Sequence, residues 1–200
     1  MTELPSRIAP ATTRAADGWP RKAWTHHDLD RMTEAGLFGP EEHVELIDGE
    51  ILPMPAKGVR HERVRLALNS WIWRHIGRDK DVLPEAGWRP ALTFYLEPDS
   101  LIVQRTVAPP EFPGSEVLLA IEIADTSFAY DTGIKRERYA ELGVREYWVV
   151  HAWELTTKIY RAPVGSSYSL VDEIGPTAQL KAELVGEFQL RLSDLGVERQ

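Results

Sequence analysis

Short apolar blocks separated by polar turns run along the whole chain, and their periods change from block to block. Residues 117–124 are the densest: Val117, Leu118, Leu119, Ala120, Ile121, Ile123 and Ala124 surround a single acid, Glu122. A short apolar run bounded by polar residues reads as a strand buried on both faces. Between residues 60 and 76 the spacing lengthens. Val64, Leu68, Trp71, Ile72 and His75 recur at i, i+4, i+7, i+8 and i+11, which predicts a helix with one apolar stripe, closed by Gly77. Thr25 is placed to cap an earlier helix that runs to about Ala35, before Gly36 and Gly39-Pro40 stop it. From His43 the residues HVELIDGEILPMP alternate about Asp48-Gly49, the pattern of a β-hairpin. Further strands are expected at 84–95, 101–104, 146–151, 158–161 and 168–173. A third helix is expected over 131–142, capped by Asp131 and ended by Gly143. Phe188, Leu190 and Leu192 alternate too briefly to assign.

Strand, helix and strand over 117–151 form a βαβ-like unit, so at least one parallel pairing is expected, with hairpins adding antiparallel strands. The predicted fold class is α/β, a mixed sheet flanked by helices. Two hundred residues, 43% hydrophobic and with seven tryptophans, suffice for one substantial core. We therefore expect an aperiodic arm over 1–22 and a single domain over 23–200. Trp71, Trp73 and Trp148 lie in apolar segments and are expected to pack in the core. With no cysteine, disulfide frameworks and thiolate zinc sites are excluded. No stretch has the pattern of a signal peptide or a membrane span, so a cytoplasmic protein is expected.

The apolar run also raises the chemical question. An ionised carboxylate at Glu122 is costly unless a cation or hydrogen bonds compensate it. Pro98-Asp99 opens the strand before it, and Lys135 shares a helix face with Tyr139 and Leu142, directed towards the sheet. Two carboxylates at strand ends with a lysine nearby are the minimum equipment for metal-assisted phosphodiester hydrolysis, and magnesium favours a few carboxylates plus water. Plainer readings exist: Asp99 as a turn residue, Lys135 with its stem buried and its ammonium in water. A net charge of −8 also opposes sequence-independent DNA binding. Local clusters could offset it, from Arg60, Arg63, Arg65 and Arg74 or from Arg136 and Arg138, although solvated helix faces explain most such residues.

Read in order, the residues Glu45-Leu46-Ile47-Asp48-Gly49-Glu50-Ile51, His61, Pro98-Asp99, Ala120-Ile121-Glu122-Ile123, Asp131 with Lys135 and Tyr139, and Gly143-Val144-Arg145-Glu146-Tyr147-Trp148-Val149-Val150 resemble the Uma-type restriction endonucleases of the PD-(D/E)XK nuclease superfamily. The resemblance covers about residues 24–195. It implies a restriction-endonuclease-like fold and a metal-dependent nuclease hydrolysing phosphodiester bonds in DNA, often as a homodimer. Asp99 and Glu122 would coordinate Mg²⁺ or Mn²⁺, joined by the backbone carbonyl of Ile123. Lys135 would orient or deprotonate the attacking water and offset charge on the phosphate. Glu45 and His61 match positions that line the same pocket, Glu45 as a further metal ligand and His61 as a phosphate contact or proton relay.

The chain also departs from that pattern. The superfamily lysine usually stands two residues after the second acid, where this chain has Ala124. Asp125-Thr126-Ser127 replaces a Ser-Pro-Ser-like turn, His151 stands where an aspartate is common, and Leu96-Glu97 precede the PD pair in place of a basic residue. A catalytically inactive nuclease-fold binding or assembly module is the alternative reading. A hydrolase of small phosphoesters is a third.

Overall fold

The structure is a computed structural model that describes residues 21–40, 42–186 and 189–197. Residues 1–20, most of the expected arm, lie outside the described residues, as does Phe188. The chain divides into a smaller compact unit, Met1–Ala56, Gly87–Glu97 and Pro109–Pro113, and a larger one, Lys57–Ala86, Pro98–Ala108 and Gly114–Gln200.

In the smaller unit, helix α1 (His26–Glu34) starts at the expected cap. Thr25 Oγ1 accepts from the Asp28 N–H at 3.1 Å, and Asp28 Oδ2 accepts from the Thr25 N–H at 3.1 Å, a reciprocal capping box. The hairpin follows as β1 (Val44–Ile47) and β2 (Glu50–Pro53). Its turn places Asp48 at φ 54° and Gly49 at φ 79°, the left-handed pair that a two-residue turn requires. Gly49 is needed for a second reason: a Cβ there would come 2.8 Å from that of Ala23. Trp88 is buried, and its indole N–H donates to the Phe112 carbonyl at 2.9 Å.

The larger unit holds a six-stranded sheet, ordered β3 (Lys80–Leu83), β4 (Ser100–Gln104), β5 (Val117–Ala124), β6 (Glu146–His151), β7 (Thr157–Val164) and β8 (Ser167–Ile174). All neighbours are antiparallel except β5 and β6, the expected parallel pair. The crossover between them contains α3 (Phe128–Tyr130), a π-turn (Asp131–Lys135) and α4 (Arg136–Glu141). Every residue of β5 is buried, as a strand covered on both faces must be. Helix α2 (Val59–His75) contributes Val64, Leu68 and Ile72, all at most 1% exposed, to a core shared with Leu119, Ile121, Ile123, Trp148 and Val150. Each such side chain contributes about 1.5–3 kcal/mol by leaving water. Alternation turns Ala120 and Glu122 to the opposite face, towards the crossover. A short pair, β9 (Leu180–Lys181) with β10 (Gln189–Leu190), adds Leu180 and Leu190 to the same core.

Three expectations need correction. No strand spans 84–95; the strand precedes it as β3, because Pro84, Gly87 and Pro90 interrupt the ladder and Glu85 takes φ 48°. Asp131 does not cap the third helix. Helical structure starts at Phe128, and Asp131 is buried within it, accepting from the Ser127 hydroxyl at 2.6 Å. Trp73 is not a core residue: it is 54% exposed, whereas Trp88 and Trp148 are buried.

Candidate active site

The site forms where β4 and β5 diverge. The ladder pairs Ser100 with Ile121, so the next residues out, Asp99 and Glu122, stand beside each other beyond the last paired rung. Asp99 compensates for the lost pairing with its side chain: Oδ2 accepts the Ile123 N–H at 2.7 Å. The Asp99 N–H in turn reaches Glu122 Oε2 at 3.4 Å. Both acids are buried, at 3% and 4% exposure.

Cations from two helical segments compensate them. From the first turn of α2, His61 Nε2 lies 3.0 Å from Asp99 Oδ2. From the residue before Gly58, the N-cap of that helix, Lys57 Nζ donates to Asp99 Oδ1 at 3.1 Å and to Glu85 Oε1 at 2.6 Å. From the crossover, Lys135 Nζ lies 2.8 Å from Glu122 Oε1, and the Tyr139 hydroxyl donates to the same oxygen at 2.7 Å. Lys135 is only 3% exposed. It reaches inward at the end of the π-turn, where Gly133 departs from helical geometry with φ −104° and ψ −106°. The local widening, together with the i, i+4 spacing of Lys135 and Tyr139, directs two donors at one carboxylate oxygen.

The electrostatics follow from this packing. Burial pushes the Asp99 carboxyl up, but the His61 hydrogen bond and charge, the Lys57 charge and the Ile123 N–H together hold it below the usual carboxylate range. Burial pulls His61 down, yet its bond to Asp99 and the Asp99 charge raise it above an ordinary imidazole. Burial likewise acts against the Lys57 ammonium, and the Asp99 and Glu85 carboxylates outweigh it, leaving Lys57 raised.

Four of the sequence-predicted residues, Asp99, Glu122, Lys135 and His61, thus share one hydrogen-bonded cluster, and Ile123 joins it through its backbone. Glu45 belongs to the smaller unit, where its Oε1 accepts the Glu97 N–H at 3.1 Å. Lys57 and Glu85 were not foreseen. Lys57 stands outside any apolar period, in the Pro55-Ala56-Lys57-Gly58 stretch, and its one available signal was its place immediately before a helix start. Glu85 lay inside a segment expected to be strand.

An open cavity of about 300 Å³ lies at the N-terminal end of α2, lined by Gly58, Val59, Arg60, Arg63, Asp125 and Trp153. Trp153 is 46% exposed, its indole N–H donating to Asp125 Oδ1 at 2.9 Å, and the Arg60 guanidinium lies 5.6 Å from its ring centre. Several of the other candidate arginines are held within the protein. Arg65 pairs with Glu62 and Glu85, Arg136 with Glu137, and Arg138 with Glu141.

The sequence profile of a family described as "Putative restriction endonuclease" matches residues 27–193. Among solved structures, one titled as a "putative nuclease belonging to DUF820" from Anabaena variabilis has 18% sequence identity and a TM-score of 0.64, covering 86% of this chain and 96% of its own. At that identity the likeness concerns the fold: a mixed α/β, restriction-endonuclease-like architecture. No curated protein matches the chain. No helix among the described residues is long and apolar enough to cross a membrane.

Proposed function

This chain belongs to the Uma2 family, the family described as "Putative restriction endonuclease", and on that premise we propose that it is a metal-dependent endonuclease hydrolysing phosphodiester bonds in DNA. The observation that carries the reading is the pair of buried carboxylates, Asp99 and Glu122, side by side at the divergence of β4 and β5, with the buried Lys135 ammonium 2.8 Å from one of them.

The donor set fits a hard divalent ion. Two carboxylates adjoin, and the Lys57 ammonium already stands as a cation between Asp99 Oδ1 and Glu85 Oε1. Asp99 and Glu122 would hold Mg²⁺ or Mn²⁺, with the Ile123 carbonyl as a further oxygen donor. Such an ion supplies polarisation of a phosphoryl oxygen and eases ionisation of an attacking water. The remaining work falls to the protein. Lys135 orients Glu122 and places a fixed positive charge where the scissile phosphate gains negative charge. His61 fixes the orientation of Asp99 through Nε2, and Tyr139 does the same for Glu122. The proposed centre is built from the larger unit alone and does not require Glu45. Arg63 and Trp153, at the cavity beside the start of α2, offer a phosphate contact and a stacking surface that partly offset the acidic net charge. A pair of chains would let two such centres face two strands, and sedimentation with a DNA duplex would report it.

Plasmid DNA, single-stranded DNA and RNA incubated with Mg²⁺ or Mn²⁺ test the reading. Wild type is expected to cleave DNA, and Asp99→Asn and Glu122→Gln to lose at least about a hundredfold of the rate. Equal rates in wild type and variants would mean a contaminating nuclease. Absence of cleavage of every substrate with either ion would favour the inactive binding module.

A further inference from the structure

The smaller unit carries a second cluster that the nuclease reading leaves unused. His26, His27 and Asp30 lie on the first turns of α1, and one ligand atom from each falls within 4.8 Å of the other two. The helix creates this convergence: Asp30 is i+4 from His26 and i+3 from His27, both same-face spacings. The two imidazoles approach with ring centres 4.2 Å apart.

His26 has unmet bonding capacity. His26 is 4% exposed, and its Nδ1 is buried with no hydrogen-bond partner among the described residues. A buried imidazole nitrogen left in this way is costly, and native structures seldom leave one so. The Arg89 guanidinium donates to Asp30 Oδ1 at 2.7 Å and so fixes the carboxylate beside the histidines.

We propose that His26, His27 and Asp30 bind a divalent ion of the zinc class, Zn²⁺, Co²⁺ or Ni²⁺, as a three-residue site whose fourth position is taken by water. Two imidazoles and one carboxylate are the donors that borderline transition ions prefer, whereas Mg²⁺ favours oxygen alone. An ion about 2.0–2.1 Å from each atom needs the atoms about 3.3–3.5 Å apart, which small side-chain rotations on a fixed helix supply. The Arg89 charge works against any cation here, and it limits the site to ions that gain strongly from nitrogen ligation. Once bound, the ion fastens the start of α1, whose His26 N–H already donates to the Leu92 carbonyl at 3.0 Å.

The site is independent of the nuclease centre, and its test needs no catalytic readout. Full-length, untagged protein stripped with chelator is titrated calorimetrically with Zn²⁺, and with Co²⁺ while its visible spectrum is followed. His27→Ala and Asp30→Asn are the diagnostic variants, because His27 is exposed and the Asp30 change is isosteric; circular dichroism verifies their fold. Wild type is expected to bind one equivalent of Zn²⁺ with a Co²⁺ spectrum indicating nitrogen ligation. Both variants should bind at least tenfold more weakly, while Asp99→Asn and Glu122→Gln retain this equivalent. Undiminished binding in His27→Ala, loss confined to the Asp99 and Glu122 variants, or no binding by wild type would each overturn the proposal.

Discussion

Two clusters of this protein bring carboxylate and imidazole together, and they are compensated in opposite ways. In the larger unit, Asp99 and Glu122 are buried and surrounded by His61, Lys57, Lys135, Tyr139 and backbone N–H groups. In the smaller unit, Asp30 meets a single guanidinium, and the buried His26 Nδ1 meets no donor or acceptor among the described residues. The difference follows from burial and charge. Two buried carboxylates have to be neutralised for the chain to fold before any ion arrives, and the protein supplies its own cations to do so. A neutral imidazole carries a smaller desolvation cost and can be left incomplete. An ion entering the first cluster must therefore displace internal cations, and it is expected to bind more firmly once a phosphate shares its charge. An ion entering the second displaces none of the histidines' partners.

The sharpest way to break this comparison is to remove an internal cation. Lys135→Met keeps most of the side-chain volume and deletes the charge facing Glu122. Denaturant unfolding in chelator is expected to show a loss of about 3–5 kcal/mol, the usual cost of leaving one member of a buried ion pair alone. A loss under about 1 kcal/mol would show that the larger cluster does not depend on that charge for its stability.

Much of this contrast was legible in the sequence on one side only. Glu122 announced itself because an acid inside an apolar run is anomalous, and β5 and the parallel pairing followed from the same run. The period of α2 and the Asp48-Gly49 turn were equally plain, since local spacing and turn chemistry decide them. Lys57 and Glu85 were not legible: their meeting depends on Glu85 taking a left-handed φ after Pro84, which no period encodes. The π-turn that directs Lys135 inward is similarly invisible, although Gly133 marks it. The His26-His27-Asp30 cluster lies in plain view on a predicted helix, yet only the burial of His26 distinguishes it from a solvated face.

A smaller effect separates the order of α1 from its histidines. Thr25→Ala removes the cap and is expected to cost about 1 kcal/mol in thermal or denaturant unfolding. The capping partner adds a pH signature. The Thr25 side-chain and backbone hydrogen bonds, despite some opposing desolvation and with help from Arg31, hold Asp28 down at about 2 from an ordinary 3.8. A depressed acid contributes stability that is present above its unfolded value and lost as pH falls through its folded one. Wild type should therefore lose this contribution between about pH 4 and pH 2, and Thr25→Ala should show a weaker dependence there. Identical acid profiles would remove the cap from the account of α1.

The smallest effect is the most discriminating. In chelator, His27→Ala is expected to change unfolding stability by no more than about 0.5 kcal/mol, as for an exposed side chain. With excess Zn²⁺, wild type should gain stability in proportion to the logarithm of the free ion over its dissociation constant, and the variant should gain far less. The same mutation would then be silent in one medium and costly in the other. Lys135→Met should behave differently, destabilising the protein whether or not Zn²⁺ is present, because the charge it removes is compensated from within the fold. A His27→Ala penalty of equal size in chelator and in Zn²⁺ would mean that the histidines serve packing, and the contrast between the two clusters would reduce to burial alone.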